Sequence, residues 1–145
     1  MKSQLQEYRN VAMYTARIQG MPLTRVIFFQ DETEQAPVLG WLQQLREKNA
    51  KAWANCRAKI VLLNQFGHEL RRPAADFLCD GIYELRAKQG HVQYRILYFF
   101  HGRNAAVLSH SLTKEDLIPA VEIERALKRK RQFEQNPEKH TYAED

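Results

Sequence analysis

The sequence predicts an α+β fold: a small antiparallel β-sheet with an N-terminal helical hairpin and a C-terminal helix. Two observations carry this. Between Ile82 and Lys114 the chain reads IYELRAKQGHVQYRILYFFHGRNAAVLSHSLTK. There, three segments rich in Tyr, Ile, Val, Leu and Phe are separated by Gln89-Gly90 and by His101-Gly102-Arg103-Asn104, as in a β-meander joined by tight turns. Before and after this stretch apolar residues recur at helical spacing, so helices and strands fall in separate runs. The expected packing puts the helices on one side of the sheet.

In order, Leu5, Tyr8, Val11, Ala12, Thr15 and Ile18 give a short amphipathic helix, ended by Gly20-Met21-Pro22. Residues 1–22 are read as an extension. Thr24–Gln30, TRVIFFQ, has the β-branched and aromatic content of a strand. Its apolar centre suggests a central position covered on both faces. After the polar break Asp31–Gln35, Pro37 suits a first helical turn, and Val38, Trp41, Leu42 and Leu45 form one stripe that stops near Lys48-Asn49. A second helix spans Ala50–Phe66 on Trp53, Cys56, Ile60, Val61 and Leu63, with Gly67 as its terminator. His68–Asp80 reads as a connecting loop. After the meander a last helix is expected from Asp116 as N-cap, with Pro119 in its first turn and Ala120, Ile123, Ala126 and Leu127 on its inner side. The main domain is thus 23–135, and 136–145 reads as a flexible tail.

Composition narrows the function. The 145 residues suffice for one domain with a core, and a net charge of +5 favours an anionic partner. Cys56 and Cys79 form no CxxC pair and have no His at zinc-ligand spacing, which suggests reduced thiols in a cytoplasmic protein. The start MKSQLQEYRN lacks the apolar stretch of a signal peptide, and no run approaches the roughly 18 apolar residues of a membrane span. No Gly-rich phosphate loop, clustered carboxylates or nucleophile elbow is present, so no metal or cofactor is expected.

What remains is a set of cations in and beside the meander. Alternation puts Glu84, Arg86 and Lys88 on one face of their strand, opposite Leu85 and Ala87. In the next strand Gln93, Arg95, Leu97 and Phe99 share a face, and Val92, Tyr94, Ile96, Tyr98 and Phe100 share the other. Both faces carry apolar residues, which predicts a bulge or a sheet buried at one end. His110 and Lys114 are in phase with Leu112. If the strand ends meet, Arg86, Arg95, His110 and Lys114 form one catalytic pocket, flanked by Lys88, His91, Arg71 and Arg72 as RNA-binding cations. Such a set suits metal-free RNA cleavage, in which a 2′-OH attacks phosphorus, proton donors and acceptors serve the two oxygens, and cations stabilise the phosphorane. The same residues also suit plain structure: a strand arginine commonly sits in a cross-strand ion pair, and Lys114 beside Glu115 would open the next helix.

The segments Gly81-Ile82-Tyr83-Glu84-Leu85-Arg86, Tyr94-Arg95-Ile96-Leu97-Tyr98 and Val107 to Lys114, the helix carrying Pro119, Glu122-Ile123 and Ala126, and the helix start Pro37-Val38-Leu39-Gly40-Trp41-Leu42 resemble the phage-derived, HigB-like branch of the RelE toxin superfamily. The resemblance runs from about Thr24 to Phe133. It implies the toxin of a type II toxin–antitoxin pair, a metal-free endoribonuclease (mRNA interferase) that cleaves mRNA on the ribosome and inhibits translation. It also implies a helix-turn-helix HigA-like antitoxin and oligomers only with that antitoxin. The family's cationic positions fall on Arg86, Arg95 and Lys114, with His110 nearby. Leu112 stands where the family commonly has an aromatic residue, and Glu115 where it has a second lysine. Two other readings remain: a toxin of the same fold that binds a protein such as DNA gyrase, and a basic RNA-binding module.

Overall fold

The computed structural model describes residues 23–113 and 117–143. Eight main elements follow in order: β1 (Arg25–Phe28), α1 (Pro37–Lys48), α2 (Ala50–Phe66), β2 (Ala75–Cys79), β3 (Ile82–Gln89), β4 (Val92–His101), β5 (Ala105–Thr113) and α3 (Ala120–Gln135). The architecture is α+β, as expected. The expected helix before residue 20 lies outside the described residues.

The strands form one sheet in the order β1-β5-β4-β3-β2. β2 to β5 pair antiparallel, but β1 joins β5 in parallel, so the sheet is mixed. β1 is also an edge strand rather than a central one. It is covered on both faces as expected, Val26 and Phe28 packing on one side and Ile27 and Phe29 on the other, and the chain end closes its outer edge. Phe29 bridges Thr141, Tyr142 N donates to Phe28 O at 3.0 Å, and Gln30 N donates to His140 O at 2.9 Å. The buried His140 ring stacks on Phe29 at 5.1 Å. Residues 137–142, expected as a loose tail, are therefore docked.

The stretch 68–80, expected as a loop, contains a 3-10 turn (Gly67–Glu69) and β2. β2 and β3 are joined by Asp80-Gly81, both at positive φ (49° and 83°), as a type I′ hairpin requires. The start of α3 also differs from expectation. It begins at Ala120 with Pro119 as the extended N-cap residue (φ −60°, ψ 144°), and a start at Asp116 would have placed Ile118, the residue before a proline, in the helical region that this position disfavours. Asp116, the expected cap, is outside the described residues.

Helices cover both faces of the sheet, not one. α1 and α2 pack on the face carrying Leu85, Ala87, Ile96, Tyr98 and Leu108. α3 lays Ala126 and Phe133 on the other, against Leu97, Phe99, Val107 and Leu112. The cause is β4, whose central run Ile96 to Phe99 is apolar at every position and would expose half of it to water under one layer. α1 and α2 form the expected hairpin about Asn49, whose side chain caps α2 by accepting from Ala52 N at 3.1 Å. Gly67 ends α2 at φ +53°, tight against Thr24.

Candidate nucleic-acid interface

A bulge in β5 sets the phase of the site. Tyr98 pairs with Leu108 but Leu97 pairs with His110, so Ser109 is an extra residue. Leu108 therefore faces α1 and α2, whereas Leu112 faces the α3 side. Cross-strand partners share a face, so Leu112, Arg95 (its partner) and Arg86 (the partner of Arg95) line up on the α3 side.

Two arginines directly opposite one another repel. Glu84, whose side chain is 2% exposed, sits between them and removes the conflict. Its Oε1 lies 2.7 Å from Arg86 Nε, a contact set off the N–H axis and therefore ionic rather than hydrogen-bonded. Its two oxygens accept from Arg95 Nη1 at 3.0 and 3.2 Å. Arg86 Nη2 donates to Asp76 Oδ2 at 2.9 Å, and Arg72 Nη2 lies 2.9 Å from the same oxygen. The hydrogen bond from Arg72, reinforced by its charge and that of Arg86, holds the Asp76 carboxyl below its ordinary range. The result is a chain of alternating charge, Arg72–Asp76–Arg86–Glu84–Arg95, with three cations to two anions. It ends in solvent at Arg72 and inside the protein at Arg95, whose Nε is buried without a hydrogen-bond partner among the described residues.

This chain forms one wall of an open groove of about 610 Å³. The opposite wall is Leu117, Ile118 and Ile123, from the entry to α3 and its first turns. Leu117 is almost fully exposed. Along the sheet the groove face continues past Arg86 to Lys88, which pairs with Gln93, and to the β3–β4 turn that carries His91. Lys88 and His91 are both exposed. Arg71 lies on the other side of β2, its Nη1 bound to His68 O.

His110 is not brought to the groove. It is buried beneath α3, with Nδ1 2.9 Å from Ser109 Oγ. Burial, with the charges of Arg129 and Arg125, pushes its pKa down to about 4. Glu122 Oε2 is 3.8 Å from His110 Nε2, too far to hydrogen-bond, and its charge is taken by Arg125 at 2.8 Å. The ring is therefore neutral near pH 7. Arg129, missed in the sequence, ties α3 to the bulge by donating to Ser109 O at 2.8 Å while lying over Phe29 at 5.3 Å. Lys114 lies outside the described residues; β5 ends one residue before it.

Asp76 is likewise not singled out by the sequence, because residues 68–80 have the character of a connecting loop there. The turn dipeptide Asp80-Gly81 between two apolar runs was the available signal. Among the described residues, no three His, Cys, Asp or Glu side chains converge to hold a metal ion, and no helix is long and apolar enough to cross a membrane.

A family model described as phage derived protein Gp49-like (DUF891) matches residues 40–131, well over half of the chain. The match contains β2 to β5 and every described residue of the groove. A search of curated proteins finds no match.

Proposed function

The chain belongs to the Gp49-like family of phage-derived proteins, and on that premise we propose that it is the toxin of a type II toxin–antitoxin pair, an endoribonuclease that cuts mRNA on the ribosome without a metal. The observation that carries the reading is the ordered arginine chain along the groove, in which Arg86 and Arg95 are fixed by buried or half-buried carboxylates. Arg86 and Arg95, 28% and 13% exposed, both line the groove, where a phosphate oxygen could accept from their guanidinium groups. The guanidinium groups are held in place by Glu84 and Asp76 before any ligand arrives, so little reorganisation opposes the reaction.

In this mechanism the scissile phosphate lies against Arg95 and Arg86. The ribose 2′-oxygen attacks phosphorus, the bond from phosphorus to the 5′-oxygen breaks, and the products are a 2′,3′-cyclic phosphate and a 5′-hydroxyl. Arg86 and Arg95 stabilise the charge on the phosphorane oxygens. Lys114, the residue after the end of β5, is assigned the proton transfer, taking the 2′ proton and delivering it to the departing 5′-oxygen. His110 is assigned a positioning role: neutral and buried, it holds the bulge and α3 rather than reaching the substrate. Arg72, Lys88 and His91 flank the groove as contacts to neighbouring phosphates, with Arg71 beyond β2. A helix-turn-helix antitoxin would be the neutralising partner, and the ribosome the place of action.

The test is induced expression of the wild-type chain and of Arg95→Ala, with mapping of mRNA 5′ ends. Cuts within translated codons are expected for the wild type, falling roughly a hundredfold in Arg95→Ala. Intact mRNA under growth arrest would overturn the nuclease reading, and DNA damage in the same cells would move it to a gyrase-directed toxin.

A further inference from the structure

A second cavity, of about 490 Å³, lies across β2 from the groove. The two share Arg72, Asp76 and Phe77, so they meet over the strand that ends the sheet. The groove side presents charge, and the second side presents rings. Phe77 pairs with Tyr83 across β2 and β3. It is 53% exposed, although it sits in a strand. Its ring meets Tyr83 edge-on at 5.2 Å, and Tyr83 stacks on the buried Tyr98 at 5.4 Å. His68 stacks on Phe100 at 3.6 Å, and Phe100 braces Tyr83 from the side at 5.2 Å. The outermost ring is thus backed by a fixed series of rings that leads into the core. Arg71 and Arg72 line the same cavity, Arg71 anchored to the His68 carbonyl.

An exposed aromatic ring with a rigid backing and an arginine rim is the arrangement on which the bases of single-stranded nucleic acid stack. Every base has a π-face, so such a platform needs no sequence-specific hydrogen bonds. The arginine rim and the continuity with the cationic groove select a nucleotide as the occupant.

We infer that Phe77 and Tyr83 form a base-stacking subsite for single-stranded RNA, holding the base of a nucleotide adjacent to the phosphate in the groove. The subsite rests on the reading of the groove as an RNA site. The strand crosses the β2 edge at Arg72, phosphate on one side and base on the other. The subsite thereby favours unpaired RNA, because a base held in a duplex cannot reach a ring on the far side of the edge strand.

The full-length chain is tested by fluorescence anisotropy with two labelled probes. One is a short 2′-O-methyl oligouridine, whose blocked 2′-oxygen prevents cleavage; the other is the same backbone with abasic sites. The wild type should bind the intact probe more tightly. Phe77→Ala should weaken the intact probe roughly tenfold, to the abasic level, and leave the abasic probe unchanged. Phe77→Trp should keep the preference, which separates loss of stacking from a general disturbance of β2. Equal affinity of the wild type for both probes, or an equal loss on both in Phe77→Ala, would overturn the subsite. Selective loss in Phe77→Ala together with intact cellular mRNA would uphold the subsite and remove only the nuclease reading.

Discussion

Glu84→Gln is the sharpest probe of how the groove is held. The carboxylate is buried between two arginines, and its removal affects them unequally. Arg86 keeps Asp76 at 2.9 Å, whereas Arg95, 13% exposed, has Glu84 as its one carboxylate partner among the described residues. Breaking a fully buried ion pair costs about 3–5 kcal/mol, because a charge remains without its partner. Arg86 retains a counter-ion and both arginines see some solvent, so the expected loss is smaller, about 2–3 kcal/mol. For a chain of this size each kcal/mol lowers Tm by about 3 °C, so the variant should melt about 6–9 °C below the wild type. Circular-dichroism melts and urea midpoints measure both quantities. Added salt should narrow the gap, since it screens the repulsion between Arg86 and Arg95 that Glu84 no longer offsets. The double variant Glu84→Gln with Arg95→Gln should recover part of the loss, because removing both partners strands no charge. A Tm change below about 2 °C, or a double variant as unstable as the sum of the singles, would show that the pair behaves like a surface ion pair. It would then have no part in preparing the groove.

Gly67→Ala should cost at least about 2 kcal/mol in denaturant unfolding, because φ is +53° and the added Cβ would fall 2.0 Å from Thr24 Oγ1. Gly40→Ala, in α1 with nothing within 4 Å of the new Cβ, should instead stabilise by about 0.5–1 kcal/mol. His110 predicts an acid sensitivity. Its folded pKa of about 4 lies below the unfolded value of about 6.5, so the unfolded chain binds the extra proton between these values. Its contribution is complete above pH 6.5 and lost progressively toward pH 4, by about 3 kcal/mol at most. His110→Leu should remove that part of the pH slope in urea titrations, and an unchanged slope would contradict the assignment.

The hairpin turns, the paired helices and the cationic face were legible because each rests on local chemistry: glycine at positive φ, 3.6-residue spacing, alternation along a strand. What was not legible is the phase that brings particular side chains together. In β2, Cys79 pairs with Ile82, and unbroken alternation would set Asp76 opposite Leu85, on the face of α1 and α2. The irregularity between Phe77 and Cys79 shifts the register by one, so Asp76 faces Glu84 and reaches Arg86. In β5 the pairing of Tyr98 with Leu108, continued without Ser109 as an extra residue, would set His110 opposite Ile96, in the α1–α2 core. The bulge moves it under α3 and puts Leu112 opposite Arg95. Neither irregularity has a glycine to announce it, and packing from another element bears on the one in β5. Arg129 supplies that packing at Ser109, from 20 residues further along the chain. The place of Asp76 in the groove and the burial of His110 therefore depend on two one-residue shifts, the second tied to α3. For that reason Arg86, Arg95 and, on the face of Arg86, Glu84 could be named in advance, while Asp76 and the exclusion of His110 could not.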